Sequence, residues 1–217
     1  MLNRILPALA AGLLVTATVF AQTAPTPLDA RYDPAIPDLE TALGHDFGAE
    51  ITPPEDAVDY LRTLAAAAPD RMQVFDYAES WEGRPLVYAV IGNADLMARL
   101  DTVQQDLQRL ADPRALSTAE RRELTDRLPV VVWLAYGVHG DEISSTDAAL
   151  RTAYHLIAAQ NDPVADTIFE DALVIIDPVQ NPDGRNRFVN SFAQVRGLEP
   201  DGYRWSAEHD QPWPGGR

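Results

Sequence analysis

The sequence predicts an α/β protein with a mixed, partly parallel sheet flanked by helices. Three observations carry this. "LPVVVWLAYG" at 128–137 is a nearly unbroken β-branched and aromatic run, "SSTDAALRTAYHLIAAQ" at 144–160 has helical apolar spacing, and "DALVIIDPVQ" at 171–180 is a second apolar run. Strand, helix and strand in that order form a crossover, which makes the two strands parallel and sets helices on the sheet. The absence of alternation in 128–137 is the pattern of a strand buried on both faces, so it is expected at the centre of the sheet, with Trp133 in the core.

The other elements follow in chain order. "MLNRILPALAAGLLVTATVFAQTAPTP" sets Arg4 before an apolar run from Ile5 to Phe20, with Val19 and Ala21 at cleavage-site spacing. Residues 1–21 therefore read as a secretory signal peptide cut after Ala21, the run being shorter than the roughly 20 residues a membrane span needs. This implies a secreted or periplasmic protein with no stable membrane insertion after cleavage. Residues 22–53, rich in Pro, Asp and Ala, read as an extended N-terminal arm, and the folded domain spans 54–217. Ala57, Val58, Leu61, Leu64 and Ala65 share a helical face that Pro69 closes. "MQVFDYAES" and "PLVYAVIG" are β-rich runs joined by "WEGR", which predicts a hairpin turning at Gly83. Residues 94–127 are polar with helical period, interrupted at Pro113 and restarted by a capping box from Ser117 to Glu120. Ser144 to Asp147 are placed to cap the helix that follows the central strand. The tail, "DGYRWSAEHDQPWPGGR", is irregular and has no closing helix or strand, so the domain is expected to be incomplete, which would leave Trp205 and Trp213 partly exposed.

The 217 residues carry 33 acidic and 17 basic side chains, a net charge of −16, which disfavours nucleic-acid binding through a basic face. There is no cysteine, so an exported chain has no disulfide and any metal must be held by His, Asp or Glu. Ligands of open α/β sheets gather beyond the carboxyl ends of strands, where "GVHGDE" and "QNPDG" both fall. His139 and Glu142, three residues apart in a strand-to-helix turn, offer a divalent ion one imidazole nitrogen and a carboxylate, a mixed set that suits zinc. Gly137 and Gly140 let the backbone turn tightly around it. The competing reading is a solvated turn whose Glu142 favours the positive end of the next helix. His155 reads as a packed helical residue, and His45 has no partner at ligand spacing.

Through "SWEGRPL", "VVVWLAYGVHGDEISSTDA" and "DPVQNPDGRNRF", from about Pro54 onward, the sequence resembles the zinc carboxypeptidases of the M14 type, in particular exported bacterial members. The resemblance implies Zn2+ held by His139 and Glu142, a peptide substrate, and hydrolysis at or near its C-terminus. It also implies an arginine after the NPDG turn that polarises the scissile carbonyl. Spacing favours Arg196, with Arg185 and Arg187 as competitors. In the family the third zinc ligand, the Asn-Arg pair that holds the terminal carboxylate and the general-base glutamate all lie farther downstream. The resemblance therefore implies the N-terminal portion of a catalytic domain, inactive alone, with its remaining catalytic groups beyond Arg217. His209, in "EHDQPWPGGR", falls before the substrate-binding motif and reads as exposed. Two alternatives stay open: a non-catalytic module binding peptide or cell wall, and an H-x-x-E amidohydrolase acting on N-acyl amino acids.

Overall fold

The computed structural model describes residues 30–198, 201–203, 205 and 206. The signal-peptide stretch, His209 and Trp213 lie outside the described residues.

The hairpin forms as the pattern predicts, from β2 (Met72–Glu79) and β3 (Pro85–Ile91). Its register shifts between Asp76 and Ala78, so Tyr77 is the extra residue of a bulge, a device that re-aims a side chain. β3 pairs antiparallel with β6 (Ala172–Asp177), and β6 pairs parallel with β4 (Val130–Ala135), giving the order β2-β3-β6-β4. The parallel step is the predicted crossover. It runs through α6 (Ser144–Ala158), a short β5 (Ala159–Gln160) and α7 (Pro163–Asp171). α7 had no helical pattern long enough to notice. Its start is set by the Asp162 carboxylate, which accepts from the Val164 and Ala165 amides, with Pro163 in the first turn.

Alternation along β6 divides the core in two. Val174 and Ile176 face a cluster with Leu61 and Leu64 of α2 (Pro54–Ala67) and Leu150 and Ile157 of α6. Leu173 faces the other way, against Leu96 and Met97 of α3 (Ala94–Ala98) and Val103 of α4 (Leu100–Ala111). Helices thus cover both faces of the sheet, as expected of the class. α5 (Thr118–Arg127) starts at the predicted capping box and is tied to α4 by Arg127, whose Nε and Nη2 reach the buried Asp106 carboxylate at 2.9 and 2.7 Å.

Two expectations are corrected. β4 is at the edge of the sheet among the described residues, and Val130 and Trp133 are 61% and 63% exposed. An unbroken apolar run tells that a strand tolerates burial on both faces, but not which elements cover it. Here the helices of 94–127 pack over β3 and β6, and Trp133 is not a core residue. Second, residues 30–53 are more than an extended arm. β1 (Arg31–Tyr32) pairs with β5, α1 (Leu39–Leu43) is capped by Asp38, and Ile36 and Leu39 enter the main core. These elements are too short to show a period, which is why the sequence pattern hid them.

Candidate functional site

β4 and β6 are parallel, so the turns that leave them emerge side by side. The amide of Asn181 donates to the carbonyl of Gly137 at 2.9 Å and that of Gln180 to Tyr136 at 3.0 Å, continuing the ladder past the strand ends. The two turns then touch through glycine. Gly137 adopts φ +63°, and a Cβ on Gly140 would overlap the backbone of Gly184 and Arg185. No other residue fits at Gly140 without separating the turns. Asn181 caps α8 (Pro182–Val195) through Oδ1, which accepts from the Gly184 amide at 2.9 Å.

On the first of these turns, His139 Nδ1 lies 3.0 Å from Glu142 Oε1, with side chains 44% and 56% exposed. Ligands about 2.0–2.1 Å from a tetrahedral ion lie about 3.3 Å apart, so a small opening of this pair admits zinc in place of the shared proton. The donor set fits half of a site. Among the described residues no group of three or more His, Asp or Glu side chains is arranged to hold a metal.

The cap expected for α6 takes another form. Ile143 occupies the cap position without a side-chain bond, and Ser145 Oγ instead accepts from the Gly137 amide at 2.8 Å. Asp147 turns inward to Thr52 and Arg185. Arg185 is 1% exposed and fully committed: Nε donates to the Thr52 carbonyl at 2.8 Å, Nη1 to the Ile143 carbonyl at 2.9 Å and Nη2 to Asp147 at 2.6 Å. It ties α6, α8 and the N-terminal segment together below the His139–Glu142 turn. Burial lowers its pKa, against the Asp147 charge that raises it. Arg187 pairs with Glu82 at 2.5 Å. Neither arginine faces the His139–Glu142 pair. Arg196, just past the end of α8, has its guanidinium 6.0 Å from the Phe192 ring centroid and lines a cavity whose wall includes Ile143 and Ser144. Its described contacts include neither His139 nor Glu142.

The other two described histidines, His155 and His45, have partners away from this turn. His155 Nδ1 meets the Tyr32 hydroxyl at 3.1 Å and Nε2 meets Asp162 at 3.2 Å, while His45 sits on the surface beside the Asp46 carbonyl. Sequence reasoning missed two polar clusters at this end of the sheet. The Tyr77 hydroxyl, presented by the bulge, donates to the buried Asp177 at 3.0 Å. Asp183 accepts from Ser80 Oγ at 2.7 Å, the Glu82 amide at 3.2 Å and Arg84 Nη1 at 2.8 Å, fastening the "WEGR" turn to the "NPDG" turn. Both motifs were visible as turns. Nothing local said that they meet.

No helix among the described residues is long and apolar enough to cross a membrane. Comparison with curated proteins gives no match. Among solved structures, a thrombin-activatable fibrinolysis inhibitor is similar at 13% identity and TM-score 0.47, covering 64% of this chain and 28% of that one. The bovine form, in complex with tick carboxypeptidase inhibitor, is similar at 13% identity and TM-score 0.41, covering 63% and 33%. The carboxypeptidase A of Helicoverpa armigera is similar at 22% identity and TM-score 0.43, covering 70% and 30%. The chain matches a third or less of the length of each. The profile of the zinc carboxypeptidase family (peptidase M14) matches residues 57–217. Since that match takes in the His139–Glu142 turn, the NPDG turn and the crossover between them, the chain belongs to the M14 zinc carboxypeptidase family.

Proposed function

We propose that this chain supplies the first half of the zinc site of an exported metallocarboxypeptidase that hydrolyses peptide bonds at or near the C-terminus of its substrates. The observation that carries the reading is the 3.0 Å approach of His139 Nδ1 to Glu142 Oε1 on a turn at the carboxyl end of β4, in a chain of this family. When bound, zinc supplies Lewis acidity that polarises a carbonyl and makes water nucleophilic near neutral pH. His139 and Glu142 provide the first two donors. Gly137 and Gly140 hold the turn that presents them, and the buried Arg185 keeps α6 and α8 in place beneath it. The third ligand and the base that moves the water's proton to the leaving amine come, in this reading, from outside the described residues. Arg196 is proposed for the substrate carbonyl. Its support is its spacing after the NPDG turn and its place in the cavity that begins at Ile143 and Ser144.

Zinc titration by calorimetry tests the pair without requiring turnover. The chain should bind one zinc weakly, and His139→Ala or Glu142→Ala should each weaken binding at least tenfold; unchanged affinity in both variants removes them from the site. Hydrolysis of an N-blocked dipeptide should be negligible for this chain alone. Export predicts a mature N-terminus at Gln22 in the extracytoplasmic fraction, read by mass spectrometry.

A further inference from the structure

The tip of the β2–β3 hairpin carries Trp81, the most exposed of the three described tryptophans and wholly open to water. An indole brings roughly 150–250 Å² of surface that a fold ordinarily buries. The turn that presents it is nonetheless fixed. The Ser80 amide donates to the Arg84 carbonyl at 2.8 Å, the Gly83 amide to the Ser80 carbonyl at 3.0 Å and the Arg84 amide to Ser80 Oγ at 3.0 Å. Asp183 then anchors the turn to α8 through Ser80 Oγ and the Glu82 amide. Beside the indole lies a cavity of about 550 Å³, with apolar wall from Leu86 and Pro182 and polar wall from Glu79, Gln180 and Asn181. Its volume is in the range of small-molecule sites. Because the Asn181 amide donates to the Gly137 carbonyl, the cavity adjoins the His139–Glu142 turn.

The charges around Trp81 narrow the ligand chemistry. Arg84 holds Glu55, Glu82 and Asp183 at 2.8, 2.6 and 2.8 Å, and Arg187 also holds Glu82. Glu79, exposed and without an ion pair among the described residues, is the carboxylate left to a ligand. An ionised carboxylate only accepts hydrogen bonds, so the ligand must donate them. A hydrocarbon would cover the indole and leave Glu79 desolvated without a donor. A cation on Trp81 would meet the Arg84 and Arg187 guanidinium groups that converge on the next residue, Glu82. A pyranose with equatorial hydroxyls satisfies both walls, since one flat side of the ring is C–H and its edge is a row of O–H donors. We propose that this cavity binds a neutral pyranose of that kind, its C–H side on the Trp81 indole and its hydroxyls donating to the Glu79 carboxylate. The fixed turn means that the platform is formed before the sugar arrives, which lowers the cost of binding.

The purified chain in EDTA, its tryptophan indoles labelled with nitrogen-15 and titrated with cellotetraose, tests this independently of the metal reading. A saturable shift of one indole resonance is expected, identified as Trp81 by its disappearance in Trp81→Ala, while the Trp133 resonance stays in place. Calorimetry of the same titration should show at least tenfold weaker binding in Trp81→Ala and about threefold to tenfold weaker binding in Glu79→Gln. Both side chains are exposed, so Tm should be unchanged in each variant. N-acetyl-lysine amide, a cationic probe, should bind more weakly than the tetrasaccharide. Absence of a saturable shift, binding indifferent to Trp81→Ala, or tighter binding of the lysine amide would overturn the proposal.

Discussion

Asp177 ends β6 in a buried position, its Oδ2 accepting from Tyr77 while Oδ1 has no hydrogen-bond partner among the described residues. Burial raises its pKa, outweighing the hydrogen bonds from Tyr77 and Gln180 that lower it. Burial, followed by the Asp177 charge, also pushes the Tyr77 phenol up to about 12. A carboxyl with a raised folded-state pKa holds its proton more tightly in the folded state. Its charged form therefore costs stability above the folded pKa, and that cost fades as pH falls toward the unfolded value of about 3.9. Asp177→Asn is expected to raise Tm by a few degrees at pH 7 and to leave it unchanged below about pH 4. Equal destabilisation at every pH in thermal scans would refute the assignment. The contrast with His139 and Glu142 shows what a sequence discloses at this scale. Three residues of separation within one turn make that pair legible, whereas Tyr77 reaches Asp177, 100 positions away, only because a bulge re-aims its ring.

At the scale of elements, the crossover was legible because hydrophobic period changes twice between β4 and β6. The fastening of its outlet was not. Asp183 sits in the first turn of α8, where the helix dipole favours a carboxylate, and there it also receives the "WEGR" turn. Burial alone would raise its pKa. The bonds from Ser80, Arg84 and the Glu82 amide instead hold it below the ordinary carboxylate value. A lowered folded-state pKa contributes stability that is complete above the unfolded value and is lost as pH falls through the folded one. Asp183→Ala should cost about 1–3 kcal/mol at pH 7, since it removes three hydrogen bonds at a part-buried junction, while Arg84 keeps its pairs with Glu55 and Glu82. The loss should shrink as the medium is acidified below about pH 3.5. Urea denaturation at the two pH values checks this, and a loss under about 0.5 kcal/mol at pH 7 would mean that the turns hold each other by backbone packing alone.

For the whole molecule, the core on both faces of β6 was foreshadowed by the apolar pattern, while the position of β4 was not, because a run of valines states an affinity and not an address. Five of its six residues, Val130 to Trp133 and Ala135, are exposed, and its outer edge is unpaired among the described residues. Such an edge is a template for another strand. Light scattering of the isolated chain should therefore show concentration-dependent association despite its charge. Val131→Lys or Trp133→Lys should shift the midpoint at least tenfold upward in concentration; unaltered association in both variants would place the contact elsewhere. β4 thus behaves as a growth point. Whatever strand the surroundings deliver to it lengthens the sheet, so the size of the particle that carries the His139–Glu142 turn is decided by the company the chain keeps.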